Sequence, residues 1–339
     1  MLRKAGDELR ARGLGAADAE SLLSAVSDLA SDHSFWQHQS DGLAIFASSG
    51  RTRFYRLPVP FPELVIVAER FHLKPVLPLL ISGGQFYVLA LSQNRVRLFQ
   101  GTQAGMSEQV LEGIPESLHE SIGAIPGSAQ LQFHTASAGG RGRQKPVVHG
   151  QGASVASEAN LRRFFSQIDQ EICNVLMDEQ APLILAAVEY LVPIYRDVSH
   201  YTLLLDEFIH GNPDHTAAGE LHAQAWPVVR AHIQALEEQA WDNFRKLAGT
   251  PRSSNILSDV VPAARQGRVG ALFVPLGVQC WGVWDERRHR VNVHAEQMPG
   301  DEDLLNLAAV SVYSSGGTVF AVDPGRLVQS QPVAAIYRY

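Results

Sequence analysis

Apolar residues recur along the first part of the chain in a helical pattern and then in two strand patterns. Residues 17–29 place apolar side chains on one helical face, and residues 42–47 and 52–57 are short β-type runs joined by a Ser-Ser-Gly turn. The apolar run at residues 63–68 predicts a further, buried strand. We therefore expect a small α/β domain over residues 1–70.

The middle of the chain alternates strand and helix patterns. Residues 85–91 and 95–99 predict a hairpin, and the alternation in the second run places its arginines opposite its apolar residues. An apolar helical stripe follows at residues 157–177, where Ser157 would serve as the N-cap. Residues 182–188 are wholly apolar, as in a strand that is covered on both faces. This alternation indicates an α/β layer.

The last third of the chain predicts another α/β domain. A long helix should run to about residue 248 and bend or restart at Pro227. Asp301 is expected to cap a helix that ends at a Gly-Gly pair, because carboxylates favour helix N-termini. The remaining elements are a helix and four strands, predicted at residues 255–266, 269–274, 280–284, 318–322 and 333–337.

Length and composition indicate a globular protein with more than one domain. The chain has 339 residues, more than one hydrophobic core usually serves, and its 45% apolar and 19% charged residues are ordinary for a folded protein. Two distant cysteines without a CxxC pair favour a reducing compartment and argue against a structural zinc site. A charged N-terminus, and no apolar run of roughly 20 residues, predict a cytoplasmic protein that does not enter a membrane.

Charge is distributed unevenly along the chain. The net charge of −7 and a pI near 6.0 give the whole chain no attraction to nucleic acid. Between residues 131 and 163, however, Glu158 is the only acidic residue, and Gly, Ser, Ala and Gln dominate without periodicity from residue 121 to 157. We refer to residues 134–157 as the basic loop. The cations between residues 131 and 163 are Arg141, Arg143, Lys145, Arg162 and Arg163.

The basic loop is the strongest chemical candidate in the sequence. P-loop, HExxH and GxSxG motifs and a GxGxxG after a strand are absent, the histidines of the central region have no carboxylate partners at useful spacing, and the predicted strands carry almost no carboxylates. Loop glycines would present backbone N–H groups, and loop cations would neutralise RNA phosphates. Gln144 or Gln151 would then hydrogen-bond an RNA end or position a water. The alternative is a flexible linker whose cations keep it soluble.

Several sequence runs resemble one protein family. NLRRFFSQIDQEI, PLILAAVEYLVPIY and GNPD are similar to the middle domain of bacterial release-factor-like proteins, which are homologues of the archaeal and eukaryotic class-1 peptide-chain release factors. AWDNFRKLAG, SDVVPAARQGRVGALFVP, DLLNLAAVSVYSSGGTVFAV and AAIYRY are similar to the C-terminal part of those factors. The chain therefore resembles the bacterial archaeo-eukaryotic release factor family across residues 71–339.

The resemblance implies a multidomain α/β fold. It predicts an RNase-H-like middle domain at residues 71–205, which carries the basic loop, and an α/β/α sandwich as the C-terminal domain at residues 206–339. The small N-terminal α/β domain does not resemble the codon-reading domain of the family. Codon recognition therefore does not follow from the resemblance.

A glutamine-bearing tip is also implied. The archaeal and eukaryotic class-1 factors carry Gly-Gly-Gln just before a helix with an Arg-Phe pair, and Arg163-Phe164 is similar to that pair. In this chain Gly139-Gly140 is followed by arginine, and Gly83-Gly84-Gln85 leads into a predicted strand and is interpreted as a turn. We therefore assign the catalytic tip to Gly150 and Gln151, which lie nearest the helix.

The implied activity is codon-independent hydrolysis of peptidyl-tRNA, or ribosome rescue, at the peptidyl-transferase centre. Its partners would be the ribosome and tRNA, without a cofactor or a metal, and Gln151 would mainly position water. The residues assigned to RNA contacts are Arg141, Arg143, Lys145, Arg162 and Arg163.

Two other functions remain open from the sequence. One is a non-catalytic ribosome- or RNA-binding adaptor that keeps the fold after losing the tripeptide. The other is a nuclease built on the RNase-H-like layer, which requires clustered carboxylates on strands and a divalent metal. Oligomeric state does not follow from the sequence.

Overall fold

The computed structural model describes residues 1–37, 39–57, 59–77, 79, 85–111, 113–115, 117–123, 151–177, 179, 181–327 and 330–339, with only the backbone described at 151–157. The helices are α1 (Leu2–Ala11), α2 (Ala16–Ser31), α3 (His33–Gln37), α4 (Leu118–Gly123), α5 (Gln151–Val175), α6 (Leu191–Val198), α7 (Ala218–Leu247), α8 (Leu257–Arg265) and α9 (Leu304–Ser314).

The described residues form fourteen strands. They are β1 (Gly42–Ser48), β2 (Arg51–Leu57), β3 (Phe86–Leu91), β4 (Val96–Thr102), β5 (Gly105–Gln109), β6 (Leu183–Ala187), β7 (Leu204–His210), β8 (Ser253–Ser254), β9 (Val269–Pro275), β10 (Trp281–Asp285), β11 (Arg290–Val293), β12 (Glu302–Asp303), β13 (Thr318–Val322) and β14 (Ala334–Tyr337). The predicted mixed α/β, multidomain fold is confirmed. The chain divides into two compact units, residues 84–231 and residues 1–83 with 232–339.

The unit at residues 84–231 is built on a five-stranded sheet in the order β5-β4-β3-β6-β7. β3, β4 and β5 form an antiparallel meander, and β6 and β7 extend it in parallel with β3. Every residue of β3 and β6 is buried, which explains why both strands are continuous apolar runs. The apolar stripe of α5 covers the sheet with Leu161, Phe164, Phe165, Ile168, Ile172 and Leu176.

One prediction for this unit is wrong in detail. Helix α5 begins at Gln151, so Ser157 lies inside the helix and residues 151–157 of the basic loop are helical. Arg97 of β4, which the alternation placed opposite the apolar residues of the strand, is only 9% exposed. The Arg97 guanidinium donates to the carbonyls of Pro213 and Thr216, which meets the hydrogen-bonding requirement of this buried side chain.

The C-terminal part of the other unit packs helices on a four-stranded sheet. The strand order is β13-β9-β14-β8, with β13 parallel and β14 antiparallel to β9. α8 and α9 pack against each other and against β9, and Trp241 and Phe244 of α7 contact Phe273 on that strand. Helix α7 runs through Pro227 as one element, so the predicted restart does not occur.

The cap of α9 differs from the prediction by two residues. Asp303 is the N-cap, and its Oδ1 accepts a hydrogen bond from the Leu305 backbone N–H at 3.1 Å. Asp301 is buried instead, where it accepts from the Met298 backbone N–H at 2.8 Å and lies 2.9 Å from His294 Nδ1. The two carboxylates are two residues apart in the sequence. The fold of the loop before α9 decides which of them becomes the N-cap.

The N-terminal part of the same unit contains α1, α2, α3 and the antiparallel β1–β2 hairpin. Residues 63–68 form no strand in the structure, which corrects that prediction. Pro60 and Pro62 precede the run, and proline removes the backbone donors that a ladder needs. The chain then continues towards α9, where Leu77 joins the hydrophobic core formed by α8, α9 and β9.

The division into units differs from the predicted domain limits. The limit at residues 205 and 206 falls inside β7, which pairs with β6. The segment after residue 70 is bound to the start of α9: Asn306 Oδ1 accepts from the backbone N–H groups of Leu73 and Lys74, and Arg70 donates to both Glu302 carboxylate oxygens at 2.8 Å. Long-range contacts of this kind have no local sequence pattern.

No described helix has the length and apolarity of a membrane span.

Candidate functional site

Most of the residues assigned to the site from the sequence lie outside the described part of the chain. This applies to Arg141, Arg143, Lys145 and Gly150. Gln151 is the first residue of α5, and its backbone alone is described. The site can therefore be built from its base, which is the helix that follows the basic loop and the elements against which that helix packs.

The base of the loop is held firmly on the sheet. Phe164, Phe165 and Ile168 of α5 are fully buried, and the two phenylalanine rings lie 5.7 Å apart. Burying side chains of this size stabilises the helix position by about 1.5–3 kcal/mol each. The α5 helix is therefore a fixed support rather than an independent arm.

The segment that precedes the basic loop is fixed to the same helix. Buried Ser121 of α4 donates to Gln167 Oε1 at 3.0 Å, and α4 packs on α5. Gln167 lies sixteen residues beyond Gln151, a distance of about 24 Å at 1.5 Å per helical residue. The described chain before the basic loop therefore ends beside the middle of α5, and the description resumes at the first residue of that helix.

Arg162 and Arg163, both assigned to RNA, have different surroundings. Arg162 lies 3.3 Å from Glu158 and 2.9 Å from Asp197, and its hydrogen bonds to Asp197 and Glu158 raise the pKa of the guanidinium. The contact with Asp197 ties α5 to α6, whereas Glu158 lies on α5 itself. Arg163 is exposed, and no carboxylate of the described residues lies within 4.0 Å of it. Arg163 is therefore the better placed of the two to meet an external phosphate.

A buried carboxylate lies further along α5. The Asp169 side chain is 2% exposed, and its Oδ1 accepts from Ser199 Oγ at 2.7 Å and from the Tyr195 hydroxyl at 3.2 Å. Its Oδ2 accepts from the His200 backbone N–H at 2.8 Å and lies 3.0 Å from His200 Nδ1. Burial, and then the Asp169 charge, raise the pKa of Tyr195 well above its usual value. Asp169 thereby holds the C-terminal end of α6 on α5.

The expectation that the histidines lack carboxylate partners is wrong for His200. Its side chain is 87% exposed, and the contact between Nδ1 and Asp169 leaves the other side of the ring towards solvent. Sequence reasoning missed the pair because Asp169 and His200 come from different elements, with no fixed spacing to reveal it. The only local signal is one acidic residue within the buried stripe of α5.

Gln85, the glutamine of the chain's Gly-Gly-Gln run, lies immediately before β3. Its Nε2 donates to the Tyr87 hydroxyl at 3.1 Å and to Glu179 Oε2 at 3.0 Å, and burial raises the pKa of Tyr87. Gly83 and Gly84 lie outside the described residues. The Gln85 side chain is thus engaged at the start of the central strand β3, and the predicted turn itself lies outside the described residues.

Carboxylates do not cluster on the described strands in the way a two-metal nuclease requires. β3 and β6 contain apolar residues alone, and Asp206 and Glu207 are exposed on β7. Within the described ranges there is no group of three or more His, Cys, Asp or Glu side chains placed to hold a metal ion. Nothing in this part of the chain supports the nuclease hypothesis.

Comparison with known families gives a match that begins at the start of this unit and extends beyond its end. A sequence model of the bacterial archaeo-eukaryotic release factor family 3 matches residues 85–268, more than half of the chain. The chain belongs to this family. The resemblance inferred from the sequence runs is thereby confirmed, and the release-factor match contains β3, the basic loop, α5 and the Asp169 cluster. Among curated proteins, none matches the sequence.

Solved structures that are similar to this chain include archaeal and yeast proteins. An archaeal translation termination factor, aRF1, is 15% identical, with 100% of this chain and 87% of that chain covered and a TM-score of 0.28. Saccharomyces cerevisiae Dom34 is 14% identical over 76% of this chain and 64% of its own, with a TM-score of 0.39. Ribosome-bound archaeal Pelota is 12% identical over 86% and 70%, with a TM-score of 0.44.

Proposed function

We propose that this protein acts at the ribosome as a codon-independent release or rescue factor that promotes hydrolysis of peptidyl-tRNA. The observation that carries the proposal is the position of the basic loop within the family match, directly before a helix that is anchored on the central sheet. Loop sequence supplies glycine, glutamine and cations, and the helix supplies a fixed point of attachment.

The chemistry required of the protein in this proposal is small. Gln151 would hold a water near the ester bond between peptide and tRNA, and water would attack the ester carbonyl carbon while the tRNA ribose oxygen leaves. Positioning of this kind lowers the barrier by removing the entropy of bringing reactants together. Because ribosomal RNA would surround the reaction, the acidic net charge of the chain does not oppose it.

The site residues divide into two roles in the proposal. Gly150 and Gln151 would form the tip, and Arg141, Arg143 and Lys145 would neutralise RNA phosphates along the loop. Arg163 would add a phosphate contact at the base. Arg162, assigned to RNA from the sequence, would exchange its contacts with Glu158 and Asp197 for any RNA contact, so its loss should affect helix position as well as binding.

Peptide release from stalled ribosome complexes tests the proposal. Gln151→Ala should abolish release of labelled peptide while thermal unfolding stays unchanged. Gln170→Ala is the matched control, because Gln170 is an exposed glutamine on the same helix. Gln85→Ala should leave release intact, since the Gln85 side chain is engaged with Tyr87 and Glu179. Full release by Gln151→Ala would overturn the assignment of the tip.

A non-catalytic adaptor is the second candidate. It is favoured by one observation, the absence of Gly-Gly-Gln within the basic loop of a family member. The adaptor hypothesis predicts that the protein sediments with ribosomes in a salt-dependent way and releases no peptide. Replacing Arg141, Arg143 and Lys145 with glutamate would weaken that sedimentation under both hypotheses, so the release measurement decides between them.

A further inference from the structure

The β1–β2 hairpin presents two faces of different character. The register pairs Ala44 with Tyr55, Phe46 with Arg53 and Ser48 with Arg51, and directly paired residues project on the same side of a sheet. We refer to the surface formed by Phe46, Arg51, Arg53, Tyr55 and the adjoining Phe71 as the hairpin face. It lies outside the family match at residues 85–268.

The opposite face of the hairpin is occupied by the protein itself. Phe54 packs edge-on against Phe35 of α3, with ring centroids 5.0 Å apart. Arg56 lies over the Phe35 ring at 4.9 Å and donates to the Phe35 carbonyl. This arginine is therefore engaged with α3, which distinguishes it from the arginines on the hairpin face.

Aromatic rings form a continuous, half-exposed group on the hairpin face. The Phe46 ring lies 6.1 Å from Tyr55 and 5.5 Å from Phe71, and Tyr55 and Phe71 are each 47% exposed. At the near end of β1 the face is closed, because a Cβ at Gly42 would lie 2.1 Å from the Val59 carbonyl oxygen and 2.7 Å from the Phe61 ring. The open part is thus the half that carries Tyr55 and the arginines.

Positive charge on this face is uncompensated. Arg51 and Arg53 are exposed, and none of the carboxylates in the described residues lies within 4.0 Å of either guanidinium. The β1 residues that share the face are Gly42, Ala44, Phe46 and Ser48, so neither strand contributes an acidic side chain to it. In a chain of net charge −7 this is a local basic surface with rings at its centre.

We infer that the hairpin face binds single-stranded RNA. Exposed rings stack on bases, which are unpaired and reachable in a single strand. Arginines two residues apart along β2 would neutralise the backbone phosphates of that strand. An open, flat face suits an extended strand better than a duplex, whose bases are stacked within the helix. The inference concerns an RNA contact separate from the basic loop and does not rest on the proposed release activity.

Fluorescence anisotropy of the full-length chain with a short labelled oligouridylate tests the inference. The background variant carries glutamine at Arg141, Arg143 and Lys145, so that the remaining binding reports the hairpin face. Tyr55→Ala should weaken binding about tenfold, the effect of losing one stacked base, and Tyr55→Phe should retain it. Arg51→Gln with Arg53→Gln should weaken binding and reduce the slope of log K against log salt by about 1.4.

Arg287→Gln with Arg290→Gln is the matched control, because it removes the same charge from two exposed arginines near the β10–β11 turn. That variant should bind the oligouridylate like the background chain. The inference would be overturned if the Tyr55→Ala and Arg51/Arg53 variants bound the oligouridylate as tightly as the background variant. It would also be overturned if the background variant did not bind the oligouridylate at all. Reduced ribosome sedimentation of the hairpin variants without oligouridylate binding would also overturn it, because the surface would then contact protein.

Discussion

A buried ion pair joins the segment after residue 70 to the first turn of α9. Lys74 Nζ lies 2.7 Å from Asp303 Oδ2 and also donates to the Val278 carbonyl, and the two side chains are 1% and 0% exposed. Asp303 Oδ1 accepts from the backbone N–H groups of Cys280 and Leu305. Because both charges have lost their water, each depends on the other. The pair fixes a single register of this segment on α9.

Lys74→Ala should therefore destabilise the protein strongly. The substitution leaves the Asp303 carboxylate buried without its cation, at a cost of about 3–5 kcal/mol in the free energy of unfolding. Denaturant unfolding measures this loss. Lys4→Ala serves as the control, since Lys4 is exposed and its pair with Glu8 contributes below about 1 kcal/mol. Equal stability of the two variants would contradict the account of the buried pair.

His72 should make the stability of the protein depend on pH. Burial, reinforced by the Lys74 charge and opposed by Asp303, lowers the pKa of His72 to about 4. Its unfolded pKa is about 6.5, so the unfolded chain binds more protons between these values, and stability falls as the pH is lowered through that window. The full loss from this group is about 3 kcal/mol.

Unfolding free energies of wild type and His72→Gln at a series of pH values check the prediction. Wild type should lose more stability than the variant between about pH 6.5 and pH 4, and the two should run parallel above that range. Parallel curves throughout would show that the His72 ring is not held neutral by burial.

At the scale of elements, the position of α5 depends on both apolar and polar contacts. Its apolar stripe is buried against the sheet, and Asp169, within that stripe, receives hydrogen bonds from Tyr195, Ser199 and His200 at the end of α6. The helix that supports the basic loop is therefore held by a polar cluster as well as by apolar packing.

Asp169→Ala should loosen this support. It leaves buried donors without an acceptor, and we expect a loss of about 2–3 kcal/mol in the free energy of unfolding. Peptide release should also decrease, although Gln151 is intact, because the loop would start from a less rigid helix. Asp242→Ala is the control, since Asp242 is half-exposed on α7. Unchanged stability and release in Asp169→Ala would contradict the role of the cluster.

Elements that follow a local apolar pattern could be predicted from the sequence, and contacts made with distant partners could not. The apolar run of β6 and the stripe of α5 follow directly from their side chains. The burial of Arg97, by contrast, depends on the carbonyls of Pro213 and Thr216, and the cap at Asp303 depends on how residues 294–301 fold back. His200 belongs to the same class, because its carboxylate partner comes from another helix.

For the whole molecule, three features combine in one chain. The family match covers the unit with the basic loop, the remaining unit carries the hairpin face, and the net charge is acidic. An acidic chain with a basic loop sequence and a basic hairpin face would meet RNA mainly through those two segments. Specific contacts at the ribosome fit this distribution better than general attraction to nucleic acid.

The central claim is that Gln151 promotes peptidyl-tRNA hydrolysis. Single-turnover release of labelled peptide from stalled ribosome complexes measures it most directly, with sedimentation of the same samples as the record of binding. The account predicts that Gln151→Ala reduces the release rate about 100-fold or more while the protein still sediments with ribosomes. Release at the wild-type rate by Gln151→Ala, or no release by the wild-type protein despite binding, would contradict it.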